Sequence, residues 1–389
     1  MSEHSLIRPV SANDARQVLQ ALGPLVLGAI LCSLLLFALM REEQISFEDF
    51  ALGKEKKAIY ASLDGHPIHC KGVADAEGCL EGCKVRGFEG TALWFGNSQL
   101  HAVNQPQPGQ ENAPPILGRK LRQRGLDLVA FSQPNANLQE HYVLFEYLRT
   151  RLPIRMLILA VVFDDLRETG LRSDIALALA DPPTAAALAE TEIGRRILED
   201  HRKVADTNDE LGGVRQTTQE YSERFLNQWM EDYFPLWDVR EQARGRFFIG
   251  LYQLRNTLLN VDPQTERPMI KGRYQANFAA LEALLKRAHE DGIPVLVYIV
   301  PLRTDVRIPY AEREYQAFKP ELEELVHKYD DQFADLETLV EGKLWGAKDS
   351  TSLSGKTELD FMHFDSDGHR LLAEAIGELI LPNLKESRQ

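Results

Sequence analysis

The chain has 389 residues, 44% of them hydrophobic, and its 58 Asp and Glu outnumber 44 Lys and Arg for a formal net charge of −14. That length can bury a sizeable core and leaves residues for more than a minimal domain. The acidic balance argues against nucleic acid as a partner, which requires a basic face, and supplies no long-range field to draw in a polyanion.

Ala21 to Met40 carries no charged side chain. Twenty helical residues at about 1.5 Å each would cross a hydrocarbon core of roughly 30 Å, so this run is expected to be a transmembrane helix following a short N-terminus, residues 1–20. A cleaved signal peptide is the rival reading, but Leu39-Met40-Arg41-Glu42-Glu43 contains no small-x-small site. Arg8 and Arg16 before the run compete with Arg41, Lys54, Lys56 and Lys57 after it, so charge alone does not orient the helix.

Residues 41–89 read as a juxtamembrane segment, with a helix from Phe47 to Leu63 and then a glycine-rich loop holding Cys70, Cys79 and Cys83. In an oxidising compartment three clustered cysteines imply one small disulfide and an odd thiol. A metal site made with His66 or His69 is the competing reading, but the spacing matches no zinc pattern.

From about residue 90 the pattern alternates. Thr91 to Phe95, Leu126 to Phe131, Arg155 to Phe163, Pro294 to Val300 and Gln332 to Leu336 read as strands, the third as a buried run of Met, Leu, Ile and Val. Leu138 to Thr150, Tyr274 to Glu290, Ala311 to Tyr329 and a last segment from near Gly368 read as helices, while Asn104 to Pro115 reads as loop. Strands separated by helices imply a parallel sheet covered on both faces, with active residues at the strands' carboxyl ends. Residues 166–271 exceed that plan and read as a helical insertion or cap, rich in aromatics such as Phe225, Trp229, Trp237 and Phe247.

Two short motifs carry chemistry. Leu93-Trp94-Phe95-Gly96-Asn97-Ser98 delivers a serine at the end of a strand, and Asp360-Phe361-Met362-His363 presents an acid and an imidazole from one late loop. A serine hydroxyl is a poor nucleophile until a base takes its proton, and a carboxylate fixes that base's tautomer. Ser98, His363 and Asp360 supply those parts. Each motif alone is ordinarily a turn or a capped helix start; their order and setting favour the catalytic reading.

Gly-Asn-Ser followed far downstream by Asp-x-x-His, with Phe364-Asp365-Ser366-Asp367-Gly368-His369 leading into a last helix, resembles the SGNH (GDSL-like) hydrolase superfamily. The resemblance implies a three-layer, flavodoxin-like α/β domain over residues 90–389. It also implies Ser98 as nucleophile, His363 as base and Asp360 as orienting acid, with no cofactor. It further implies oxyanion donors from a glycine after the second strand and an asparagine after the third. Here Phe131-Ser132-Gln133-Pro134-Asn135-Ala136-Asn137 has no glycine, which leaves Asn135 or Asn137 as candidates. The third block aligns as Val162-Phe163-Asp164-Asp165. An ionised Asp164 would repel an oxyanion, so the match is defective there.

A tethered domain of this kind is similar to envelope proteins that acylate alginate or teichoic acid. The resemblance implies a single-pass bacterial inner-membrane protein with its catalytic domain in the periplasm. It would be a serine O-acyltransferase or esterase acting on extracytoplasmic polysaccharide beside a multi-spanning acyltransferase. The alternative is a non-catalytic subunit that binds polymer or scaffolds such a complex.

Overall fold

The computed structural model describes residues 56–212, 266–348 and 358–383, together with a few isolated positions. The chain divides into two units. One, Met1–Phe47 with Val214–Arg255, lies almost wholly outside the described residues, as do the expected membrane helix and most of the aromatic insertion. Among the described residues no helix is long and apolar enough to cross a membrane. The other unit, Glu48–Gly213 with Asn256–Gln389, carries everything below.

Its centre is a six-stranded parallel sheet. The chain enters through β1 (Lys56–Ala58), a hairpin of β2 (Ser62–Leu63) and β3 (His66–Pro67), β4 (His69–Cys70) and α1 (Ala76–Arg86). It continues through β5 (Gly90–Gly96), α2 (Ser98–His101), β6 (Ala102–Asn104), α3 (Ala113–Arg122), β7 (Leu126–Ser132), α4 (Leu138–Leu148) and β8 (Ile154–Val161). Short helices α5 (Ser173–Ala176) and α6 (Pro182–Ala189) precede α7 (Glu192–Gly212). Then come α8 (Lys271–Glu290), β9 (Val295–Ile299), α9 (Glu312–His327), β10 (Gln332–Asp335), β11 (Trp345–Lys348), β12 (Glu358–Phe364) and α10 (Ser366–Ile380).

The sheet order is β10-β9-β8-β5-β7-β4, every neighbouring pair parallel. Every residue of β5, β7 and β9 is buried, because helices cover both faces: α3 and α10 pack together on one side, α4 and α8 on the other. Inside, Trp94 of β5 donates its indole N–H to the Tyr298 hydroxyl of β9 at 3.1 Å, so both polar tips are satisfied in the core. After β5 the chain first adds β7 on one side and then crosses to β8 on the other. That reversal is the switch point at which open α/β sheets leave a crevice, and Ser98 lies just beyond it.

Several expectations are corrected. Lys56–Ala58 and Ser62–Leu63 form strands, not the end of a helix from Phe47: Asp64 and Gly65 take φ of 53° and 79°, a two-residue turn that closes the β2–β3 hairpin. Residues 56–89 are built into the folded unit that was expected to begin near residue 90, since β4 is an edge strand of the main sheet and β1 pairs with β6. Pro114 and Pro115 do not extend a loop but sit in the first turn of α3, where a missing N–H costs nothing. The described part of the insertion is helical, and Leu166, Ile175, Ala178, Leu188, Ile193 and Ile197 join the main core.

Cys70 and Cys79 form a disulfide that ties β4 to α1, and Cys83 is a buried thiol. Burial, then the neighbouring Asp127 carboxylate, pushes the Cys83 thiol up to about 12, so at neutral pH it is a poor nucleophile. Non-reducing peptide mapping of protein isolated from its native host is expected to recover a Cys70–Cys79 link. Cys83 should be alkylated only after unfolding. Rapid modification of Cys83 in the native protein would contradict this assignment.

Candidate active site

Gly96, Asn97 and Ser98 turn the chain from β5 straight into α2. A Cβ at Gly96 would stand 3.0 Å from the Leu100 side chain, so the tight approach of α2 to the strand end favours glycine. Asn97 caps α2, its Oδ1 accepting the Gln99 N–H at 2.9 Å. Its Nδ2 donates to the Asp165 carboxyl at 3.3 Å. The Gln99 amide donates to the carbonyls of Pro301 and Met362, both at 2.8 Å, and so joins the loop after β9 to the strand bearing His363.

Asp360 and His363 lie on β12 rather than in a loop. Pairing runs from Trp345–Phe364 to Ala347–Leu359, so two steps along β11 oppose five along β12 and the surplus residues bulge. A bulge re-aims side chains that a regular strand would send to opposite faces. Asp360 Oδ1 holds the bulge by accepting the N–H groups of Met362 at 2.8 Å and His363 at 3.1 Å.

The structure thereby brings three of the expected residues together across 265 positions of sequence. Ser98 Oγ is 2.9 Å from His363 Nε2, and His363 Nδ1 is 3.0 Å from Asp360 Oδ2. With Asp360 ionised, Nδ1 donates to the carboxylate and Nε2 is left to accept from the serine hydroxyl. Burial alone would push the Asp360 carboxyl up. His363 and then Lys56 overcome it and hold the group well below the usual carboxylate range. Ser98 is 8% and His363 9% exposed, so the site is nearly closed.

The oxyanion candidates are placed differently. Asn137 caps α4: its Oδ1 accepts the Glu140 N–H at 3.0 Å and its Nδ2 donates to the Gly170 carbonyl at 2.9 Å, so the amide serves the helix start and the loop at Gly170. Asn135 is exposed, at φ 52°. Asp164 is paired with Arg167 at 3.0 Å and Arg267 at 2.6 Å, and accepts from the Tyr310 hydroxyl at 3.2 Å. None of the three is hydrogen-bonded to Ser98 or His363 among the described residues. The neighbour Asp165 is the residue that reaches the nucleophile's turn, through Asn97. Burial raises its carboxyl well above the usual range despite the bonds from Val162 N–H and Asn97.

Sequence reasoning passed over three further groups. Lys56 Nζ lies 2.9 Å from Asp360 Oδ2, with side chains 6% and 3% exposed. Gln99 adjoins the nucleophile. At the last residue of β7, the Ser132 hydroxyl bridges His69 Nε2 at 2.6 Å and His101 Nδ1 at 2.8 Å. A hydroxyl has one proton, so it donates to one ring and accepts from the other. Burial, followed by a neighbouring histidine, pushes His69 down to about 3 and His101 well below its ordinary value, so both are neutral. Tyr60 lies 5.1 Å from each ring. Beside this cluster a small cleft opens at the ends of β5 and β7, lined by Phe131, Ala136, Leu144 and Ile175 and by the polar Lys71, Gln133, Glu140 and Arg172 among others; Ser98 is not among its lining residues.

The fold and site together define an α/β protein with a serine–histidine–aspartate constellation at the switch point of a parallel sheet. No family model and no curated protein matches the chain. Among solved structures it is similar to a candidate acylhydrolase from Bacteroides fragilis, at 10% identity and TM-score 0.35, over 76% of this chain and 88% of that one. It is also similar to a GDSL-like lipase from Bacteroides thetaiotaomicron, at 10% identity and TM-score 0.34, over 76% of this chain and 90% of that one. The functional reading therefore rests on the geometry of the site.

Proposed function

We propose that the chain is a serine acyl-transfer enzyme that works through an acyl-Ser98 intermediate. The observation that carries this reading is the continuous path Asp360 Oδ2, His363 Nδ1, His363 Nε2, Ser98 Oγ, with both links at hydrogen-bond length. As Ser98 Oγ attacks an ester carbonyl, His363 Nε2 takes its proton, and Asp360 stabilises the resulting imidazolium. Negative charge gathers on the carbonyl oxygen, for which the Ser98 N–H, first in α2, is the natural donor. Collapse expels the alcohol with the proton returned by His363. His363 then takes a proton from water or from a sugar hydroxyl, whose oxygen attacks the acyl carbonyl; the bond to Ser98 Oγ breaks as His363 returns the proton to it, giving an esterase with water and an O-acyltransferase with the sugar.

The finer reading is an anchored O-acyltransferase, in keeping with acetyl transfer, acting on extracytoplasmic polysaccharide with a multi-spanning membrane partner. The Cys70–Cys79 bond supports an oxidising compartment, and the uncharged run Ala21 to Met40 supports the anchor.

A second reading, a non-catalytic polymer-binding or scaffolding subunit, draws on one observation: Asn137 Nδ2 is bonded to the Gly170 carbonyl and the Asp164 carboxylate is held by Arg167 and Arg267, so neither side chain is seen donating toward Ser98. A fluorophosphonate probe separates the two. Covalent labelling of the intact protein at Ser98, located by peptide mass, is expected. A folded protein that resists the probe across pH 6 to 9 would leave the scaffold reading.

A further inference from the structure

We propose that Lys56 is a positioning residue for the site, setting, through one shared carboxylate oxygen, the pH range in which His363 can take the Ser98 proton. The proposal rests on the acyl-transfer reading above. Lys56 Nζ and His363 Nδ1 both bind Asp360 Oδ2, at 2.9 and 3.0 Å, while Oδ1 is filled by two backbone N–H groups. The carboxylate is thus fully coordinated. The ammonium and the imidazole nitrogen are at most about 6 Å apart, within the range where one cation disfavours a second.

Lys56 is also built in place. It is the buried residue of β1, whereas Lys57 beside it is exposed. β1 pairs Lys56 with Asn104 of β6, and the Asn104 amide donates to the carbonyls of His363 at 3.3 Å and Ala347 at 3.1 Å. One strand pair therefore grips both the lysine and the backbone of the histidine.

The resting trio of ammonium, carboxylate and neutral imidazole carries no net charge. When His363 takes the serine proton the trio becomes a cation in a dry site. Lys56 therefore opposes idle protonation of His363 by solvent and keeps it available as a base at lower pH, while Asp360 keeps the catalytic protonation affordable. Other titratable groups face His363 from α2 and α10, but burial pushes His369 down to about 3 and His101 well below its ordinary value, so neither adds charge near neutrality. β6 brings no titratable side chain. On β11 Lys348 stands opposite Glu358 at the far end of the pairing, and the Arg303 guanidinium is held by Asp305 at 2.7 Å.

The test measures the rate of fluorophosphonate labelling of Ser98 against pH in the full-length protein, with Lys56→Met and Lys56→Arg alongside. Lys56→Met should move the acid limb up by about one pH unit, so labelling below the limb falls about tenfold, and leave the alkaline plateau nearly intact. Lys56→Arg, which keeps the charge, should retain the wild-type limb. If Lys56→Met does not fold, Lys56→Gln, which keeps a donor without the charge, should show the same shift. Wild-type labelling with an unmoved limb in the uncharged variant would overturn the proposal. Failure of both uncharged variants to fold would make Lys56 a purely structural residue and overturn it too. A wild-type protein that never labels would instead sink the acyl-transfer reading, and this proposal with it.

Discussion

Ser98→Ala and His363→Ala should each cut acyl transfer by about a thousandfold or more, and the double variant should be little worse than either. The reason is geometric. The serine proton has one acceptor at 2.9 Å, His363 Nε2, and the imidazole has one task, to hold that proton until the leaving alcohol needs it. Removing either partner removes the whole relay, so a second deletion has nothing left to take. Neither change should unfold the protein, because Ser98 lies at the start of a short helix capped by Asn97, and the β12 bulge is held by Asp360 and not by the His363 ring. Steady-state acyl release with an activated ester, read beside a thermal melt, checks both halves. Multiplicative losses in the double variant would mean that Ser98 and His363 act independently.

The parts of this fold that were plain in the sequence are those where burial is two-sided. β5, β7, β8 and β9 are apolar runs because helices cover both faces, and such runs cannot be mistaken for surface. The nucleophile and its base were legible because their spacing to a strand end and to a last helix is distinctive. What escaped notice has short-range signals that a longer pattern overrode. Asp64-Gly65 is a strong hairpin signal, yet a helical reading from Phe47 was carried right up to it, through the residues of β1 and β2. The double proline at 114–115 reads as loop unless it is recognised as a first-turn feature. Asp164 and Asp165 are indistinguishable by type, and only the turn after β8 decides that the second faces Asn97. Lys56 was illegible in principle: it stands among Lys54, Glu55 and Lys57, a run that looks like any solvated face, and its partner lies 304 residues away.

That partner makes Asp360 a stability determinant as well as a catalytic one, and Asp360→Asn is expected to cost about 3 to 5 kcal/mol near neutral pH, the usual penalty for stranding one charge of a buried pair. Lys56 and Asp360 are both nearly sealed from solvent, so the lysine left behind would be an uncompensated cation in the core. Lys56→Met should cost less, since Asp360 would keep two backbone N–H donors and the His363 ring. Removing both charges together, as Lys56→Met with Asp360→Asn, should recover most of the loss. The pH dependence has a definite sign. The Asp360 carboxyl is held low in the folded protein, so its contribution is fully present above the unfolded value of about 4 and is lost as pH falls toward the folded one. The stability gap between wild type and Asp360→Asn should therefore be constant from about pH 5 to 8 and close only on further acidification. Denaturant unfolding across that range measures it, and a gap that is absent at pH 7, or that widens as acid is added, would show that the Lys56–Asp360 pair does not hold this site together.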